Sequence, residues 1–312
     1  MNSPTPVIQI ENLTYAYGRA EAVHDLSLAV QPGRCYGLFG RNGAGKTTTM
    51  KCLLNLLRPQ RGQVRVFGLD PAKHEVAVKR LLSYVPDQVA FYPWMSVRET
   101  LDYLASFRAH WNRKIEQELF ERFQLDPAQR TGSLSKGQRT QVALIAAVCP
   151  ETDLLVLDEP TSGLDPVAAR EVHELISDLR QKGVTIFLTT HRLEEAEELC
   201  DRVAILDTTL RTVGRPAELR AQLFKSALVV RTLVPLSDPD QVFNDIVTVE
   251  GWTSDDPGSY VLSVSDLRLA APEVTRCLVR AGADVLSISE AQHSLEDVYL
   301  ELIDDDVEAH RQ

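Results

Sequence analysis

The chain of 312 residues carries a formal net charge of −11, with 44% hydrophobic and 25% charged residues. That is the composition of an ordinary globular protein, with room for one large domain or two smaller ones. The acidic balance argues against generic nucleic-acid binding, which wants a basic face, and no run approaches the ~20 apolar residues of a membrane helix. Met1-Asn2-Ser3-Pro4 is neither basic nor apolar, so no signal peptide is expected. Cys35, Cys52, Cys149, Cys200 and Cys277 are odd in number, widely spaced and mostly in apolar segments. They read as core thiols of a reducing cytosol, not as disulfides or a metal site.

Residues 7–13 alternate apolar and polar like a strand, and residues 26–30 do so again before Pro32-Gly33. Residues 35–39 form a short buried strand. Gly40-Arg41-Asn42-Gly43-Ala44-Gly45-Lys46-Thr47 follows, and residues 47–57 read as a helix. A strand bracketed by glycines is expected over 62–68. From 96 to 123 the period becomes helical, which suggests an insert. Ser135 and Gln138 have capping-box spacing ahead of another helix. Leu154-Leu155-Val156-Leu157 suits a strand buried on both faces, with Asp158 and Glu159 just past it. Asp165-Pro166 reads as N-cap and first helical position, and Gly183 as the stop. Strands are expected over 185–190, ending at His191, and over 203–206. Alternating strands and helices imply a parallel, doubly wound sheet with ligands at the carboxyl ends of its strands.

Near residue 225 the composition changes. Strands are expected over 228–234, 260–264 and 285–288, helices over 272–281 and 295–303, and loops over 235–239 and 254–258. This reads as a small α+β domain with a frayed tail at Asp304-Asp305-Asp306.

The chemistry starts at Gly40–Thr47, which fits the phosphate-cradling pattern G-x-x-x-x-G-K-[ST]. Gly40, Gly43 and Gly45 let the backbone curl, so that N–H groups from Asn42 to Thr48 point at an anion. The new helix adds its positive end. Lys46 offers a charge for the β- and γ-phosphates of ATP, and Thr47 a hydroxyl for Mg²⁺. Of the two carboxylates at the strand end, Asp158 can hold Mg²⁺ while Glu159 faces the attacking water. His191 can donate to the γ-phosphate, and Tyr17, upstream of the loop, can stack on the base.

These residues, with Leu134-Ser135-Lys136-Gly137-Gln138, residues 154–160 and Ser162-Gly163-Leu164-Asp165, occur in the order of the nucleotide-binding subunits of ATP-binding cassette (ABC) transporters. The resemblance spans about residues 7–220. It implies a P-loop NTPase with a mixed, mainly parallel sheet, an antiparallel β subdomain and a helical insert (about 88–150). That domain would occupy residues 1–225, and a small α+β accessory domain residues 226–312. It also implies an ATPase that binds ATP and Mg²⁺ and pairs head to tail with a second ATP-binding subunit, as a homodimer. Ser135, Gly137 and Gln138 would complete the partner's site, and Asp165 would lie across the interface. A separate membrane-spanning permease would hold the protein at the inner, cytoplasmic face of the membrane. His293-Ser294-Leu295-Glu296-Asp297-Val298-Tyr299-Leu300 resembles the end of exporter-type subunits.

Two positions depart from the family's pattern. Asp87 stands where a glutamine is usual, with Gln88 one place late, and Lys136 replaces the first glycine of the signature. Asp87 could still accept from a metal-bound water; Lys136 could face phosphate or solvent. Thr140-Gln141 replaces a Q-R pair. The run Phe91-Tyr92-Pro93-Trp94-Met95 suits either core or a docking surface. Two other functions compete with an ABC exporter ATPase: a cassette ATPase acting on DNA or the ribosome, and a nucleotide-gated binder without turnover. No heptad run, cysteine cluster or second cassette supports the former, and intact Lys46, Asp158, Glu159 and His191 weigh against the latter.

Overall fold

The structure, a computed structural model, describes residues 5–223 and 226–291 and, beyond them, Leu295, Glu296, Val298 and Tyr299. The chain divides into two compact units, Met1–Pro216 and Ala217–Gln312.

The first unit opens with a hairpin of β1 (Ile8–Tyr17) and β2 (Ala20–Val30). β3 (Cys35–Phe39) leads into α1 (Lys46–Leu53), and β4 (Arg61–Val66) returns to pair antiparallel with β1. α2 (Glu75–Leu81) precedes β5 (Leu82–Val85), and the insert contains α3 (Val97–Ala105), α4 (Arg113–Phe123) and α5 (Lys136–Val148). Then follow β6 (Leu154–Asp158), α6 (Pro166–Gln181), β7 (Thr185–Thr190), α7 (Leu193–Leu199), β8 (Arg202–Asp207) and β9 (Thr209–Gly214).

Two sheets result. β2-β1-β4 is antiparallel, and β5-β6-β7-β3-β8-β9 is parallel except at its β9 edge. Every residue of β3, β6 and β7 is buried, as expected of strands covered on both faces. Period 2 splits them between two packing layers. Tyr36, Leu38, Leu154, Val156 and Phe187 join Met50 and Leu53 of α1 and the inner face of the antiparallel sheet in one core. The opposite face meets α6 and α7, close enough that a Cβ on Gly37 would lie 2.7 Å from Cys200 Sγ. Truncating Phe187, fully buried in this core, would cost about 3–5 kcal/mol. Register then matters for function. Phe39 pairs with Thr190 and Asp158 with Thr189, so β3, β6 and β7 end level and the residues after them share one edge.

The continuous helical period expected over 96–123 is two helices. Ser96 caps α3 through a reciprocal capping box with Glu99, and Asn112 restarts the chain by accepting from Lys114 and Ile115 N–H. Four of the five cysteines are buried and all five are free, and burial pushes the Cys52 and Cys149 thiols up to about 11 and about 12. Such thiols stay protonated and inert.

After α8 (Pro216–Leu223), the second unit contains β10 (Ala227–Thr232), α9 (Pro239–Phe243), β11 (Val249–Asp256), β12 (Ser259–Val264), α10 (Leu267–Arg280) and β13 (Val285–Glu290). The strands form an antiparallel sheet of order β11-β12-β10-β13 around Val230, Phe243, Leu262 and Val274. Two local expectations shift. Most of the loop expected over 254–258 belongs to β11 and its turn. α10 begins five residues before Pro272, because Asp266 caps it by accepting from Arg268 and Leu269 N–H. The helix expected over 295–303 lies mostly outside the described residues, and half of the 293–300 match does. The tail at 304–306 lies wholly outside them.

Candidate active site

The loop between β3 and α1 has little steric freedom. Gly45 takes φ +100, and a Cβ there would lie 2.3 Å from the Ala22 carbonyl oxygen. A Cβ on Gly40 would lie 2.4 Å from the Leu206 carbonyl oxygen. Only glycine fits these approaches. The curl folds Lys46 back over the loop. Its Nζ donates to the Gly40 oxygen at 2.7 Å and the Arg41 oxygen at 3.3 Å, with 6% of the residue exposed.

From the level strand ends come the acidic and imidazole groups. Asp158, the last residue of β6, is 2% exposed, and its Oδ1 accepts from Thr189 Oγ1 at 2.5 Å and Thr47 Oγ1 at 3.4 Å. Burial pushes its carboxyl above the usual range, against those two hydrogen bonds. Strand alternation does not by itself separate the two carboxylates, because Glu159 leaves the strand in the left-handed region at φ +51. Its N–H is held by Thr189 Oγ1 at 3.0 Å and the Thr189 oxygen at 3.2 Å. Left-handed backbone in a non-glycine costs of order 1–3 kcal/mol and clusters at functional sites. The turn places Glu159 Oε1 3.1 Å from Lys46 Nζ, and Oε2 2.7 Å from His191 Nδ1. A carboxylate only accepts, so Nδ1 carries the proton of that bond.

These side chains line one cleft of about 440 Å³, with Arg41, Asn42, Gly43, Gly45, Thr47, Thr48, Asp87 and Ser162. Gly40 and the buried Ala44 support the loop from behind, and Asp158 stands behind Thr47. Tyr17 is outside the cleft lining. It is 51% exposed at the end of β1, edge-on to Tyr15 at 5.0 Å. Ser135, Gly137 and Gln138 also lie outside it. Ser135 Oγ accepts from Gln138 N–H at 3.1 Å, and Gln138 Oε1 from Ser135 N–H at 3.0 Å, capping α5. Asp165 caps α6 through Val167 and Ala168 N–H. The two departures meet: Lys136 Nζ lies 3.7 Å from Asp87 Oδ1.

Residue-type reasoning missed Thr189 and Tyr84. Threonine is so common in strands that nothing marked Thr189 as the clamp of Glu159 and Asp158. Burial, with the charges of Asp158 and Asp87, pushes the Tyr84 hydroxyl well up.

A protein-family model described as "ABC transporter" matches residues 23–162. The Daunorubicin/doxorubicin resistance ATP-binding protein DrrA of Streptomyces peucetius is 32% identical over 307 residues, covering 96% of this chain and 93% of its own length. The chain belongs to the ATP-binding proteins of ABC transporters. This ABC protein is also 33% identical over 308 residues to the Nod factor export ATP-binding protein I of Rhizobium etli, with 95% and 92% of the two chains covered. A solved ATP-binding subunit of an ABC transporter superposes with a TM-score of 0.64 at 29% identity, covering 69% of this chain and 92% of its own.

As a family member the protein binds ATP, and the loop geometry suits a triphosphate. Mg²⁺ fits the donor set as well. Thr47 and Asp158 offer hard oxygens side by side, and among the described residues no three His, Cys, Asp or Glu side chains cluster to hold a metal by themselves. That is the environment of an ion bound through one carboxylate and the substrate's phosphates.

Proposed function

We propose that this chain is the ATP-hydrolysing subunit of an exporter. It would work as a head-to-tail homodimer on the cytoplasmic face of a separate membrane-spanning permease. The observation that carries the reading is the convergence of Lys46 and His191 on Glu159, at 3.1 Å and 2.7 Å, around a single cleft. Among the described residues no helix is long and apolar enough to cross a membrane, which fits a pathway supplied by another chain. The relatives named for drug resistance and Nod factor export favour export as the direction.

The chemistry asks for positioning and charge neutralisation more than for covalent steps. The N–H groups from Asn42 to Thr48 cradle the phosphates, and Lys46 turns from the loop carbonyls toward them. Thr47 and Asp158 would hold Mg²⁺, with Asp87 accepting from a metal-bound water, and the ion would supply charge neutralisation for the phosphates. Glu159 takes the proton of the attacking water, oriented by His191 and by its left-handed backbone. With Nδ1–H donating to Glu159, His191 reaches the γ-phosphate as a donor through Nε2–H only in its imidazolium form, which carries both N–H groups. Tyr17 stacks on the base from the β1–β2 hairpin, whose Ala22 abuts Gly45. Ser135, Gly137 and Gln138 present a helix N-terminus to the nucleotide of the second subunit.

The docking face is the aromatic run. Tyr92 and Trp94 are 50% and 65% exposed, so the run is surface and not core. Their rings lie tilted at 5.1 Å between centroids, and edge-on contacts continue through Tyr103 to Phe107. The backbone beneath is pinned to the 3₁₀ turn Thr131–Ser133 by Thr131 Oγ1 to the Tyr92 oxygen at 2.7 Å and Gly132 N–H to the Pro93 oxygen at 3.1 Å. Force on the aromatics therefore reaches Ser135 within a few residues. The test is mild-detergent purification from the native membrane, with ATP turnover measured on the result. Co-purification of a membrane-spanning protein and Mg²⁺-dependent turnover are expected. A purified chain with neither overturns the reading.

A further inference from the structure

Beside the cleft lies a buried carboxylate that the chemistry above does not use. Glu195, in the first turn of α7, is 2% exposed, a burial that is costly for a charge without partners. Its Oε1 accepts from Thr161 Oγ1 at 2.6 Å and faces His173 Nε2 at 3.2 Å; its Oε2 accepts from Thr190 Oγ1 at 2.6 Å. Thr190 Oγ1 in turn accepts from Arg192 N–H at 2.9 Å, which turns its own proton toward Glu195. The positions of the two threonines give the arrangement its meaning. Thr161 follows Glu159 by two residues, and Thr190 immediately precedes His191. One carboxylate thus grips both segments whose side chains meet at 2.7 Å across the cleft.

We propose that Glu195, held from α6 by His173, is a positioning residue for ATP hydrolysis that fixes the spacing of Glu159 and His191 through Thr161 and Thr190. A purely structural pin between α6 and α7 would account for His173 but not for both carboxylate oxygens taking hydroxyls from the strand-end segments. Burial by itself pushes the Glu195 carboxyl up, yet the hydrogen bonds from His173, Thr161 and Thr190 outweigh it and hold it below the usual range. His173 moves the other way. Its bond to Glu195 raises it above the ordinary histidine range, against burial, and the charges of Glu195 and Glu198 add to the rise. Its Nδ1 lies 3.3 Å from Glu198 Oε2, so only the imidazolium, with both N–H groups, satisfies both carboxylates. A raised pKa means that the clamp is complete at a pH below the ordinary histidine value and weakens as pH rises through the raised one.

The proposal rests on the ATPase reading, and steady-state kinetics of the full chain with Mg²⁺ and ATP separate the two. Glu195→Gln is expected to lower kcat about ten- to a hundredfold, the scale of a displaced catalytic group, with KM for ATP nearly unchanged because the phosphate loop is untouched. His173→Gln should lower kcat less and flatten its fall on the alkaline side, above the ordinary histidine range. A folded Glu195→Gln chain with wild-type kcat overturns the proposal, and so does an alkaline limb that survives in His173→Gln. Should Glu195→Gln fail to fold, Thr161→Val and Thr190→Val each remove one arm of the clamp. Reduced kcat at constant KM supports the proposal, and wild-type kcat in both contradicts it. A wild-type chain without turnover overturns the ATPase reading as well, which is a distinct result.

Discussion

At Asp87 the cleft carries a carboxylate that a triphosphate repels, and Lys136 stands 3.7 Å away to offset it. The two side chains are 38% and 47% exposed, so the pair is worth about 0.2–1 kcal/mol. Lys136→Gln alone is expected to weaken Mg·ATP binding by about 1.4- to fivefold, the same energy expressed as a ratio. Asp87→Asn with Lys136→Gln should restore it, and calorimetric titration of Lys136→Gln, Asp87→Asn and the double variant reads the cycle. Simple additivity would show that the two departures are independent. Lys46 is a larger lever. It is buried, and its removal takes the cation from Glu159 Oε1 and from the phosphates, leaving the carboxylate only its bond from His191. Lys46→Ala should weaken ATP binding by about tenfold or more, as expected of a lost charge-assisted hydrogen bond. Unchanged affinity would remove Lys46 from the phosphate cradle.

Helix caps and strand ends decide what each element contributes. Asp165 and Ser135 already spend their side chains on the N-termini of α6 and α5. The aromatic run is the element with surface to spare. Replacing Tyr92 and Trp94 by serine should leave the chain folded and able to bind ATP, and should abolish co-purification of the membrane partner. Normal co-purification would move the docking surface elsewhere, and unfolding would make the run structural. Much of this was legible in the sequence because it is local chemistry. The glycines at 40 and 45, the buried Leu154–Leu157 run, Asp165-Pro166 and the 185–190 strand each announce themselves through sterics, hydropathy or capping. What was illegible depends on tertiary register. The clamp of Glu159 by Thr189 and the meeting of Asp87 with Lys136 follow from how strands and loops line up in space. The break between α3 and α4 was hidden because apolar spacing continues through residues 106–112 while the caps at Ser96 and Asn112 divide it. β11 was missed because Gly251 and a register shift interrupt its alternation.

For the molecule as a whole, the level ends of β3, β6 and β7 gather the residues of the cleft, and on the proposed head-to-tail pairing the capped start of α5 would offer the other half of the site to a second copy. If sites are shared in this way, lesions should complement in trans. Mixing Ser135→Arg chains with Lys46→Ala chains yields some dimers with one intact composite site and one doubly damaged site. The mixture should regain activity that neither variant has alone, and no recovery in confirmed mixed dimers would mean that sites are not composite or must fire together. Glu159 is the residue that Lys46, His191 and Thr189 all orient. The direct measurement is ATP turnover of Glu159→Gln against wild type at saturating ATP and Mg²⁺. The account predicts a fall of about 10²–10⁴-fold, the usual worth of a placed general base, with ATP binding retained in a long-lived dimer. Turnover within a few-fold of wild type would contradict it.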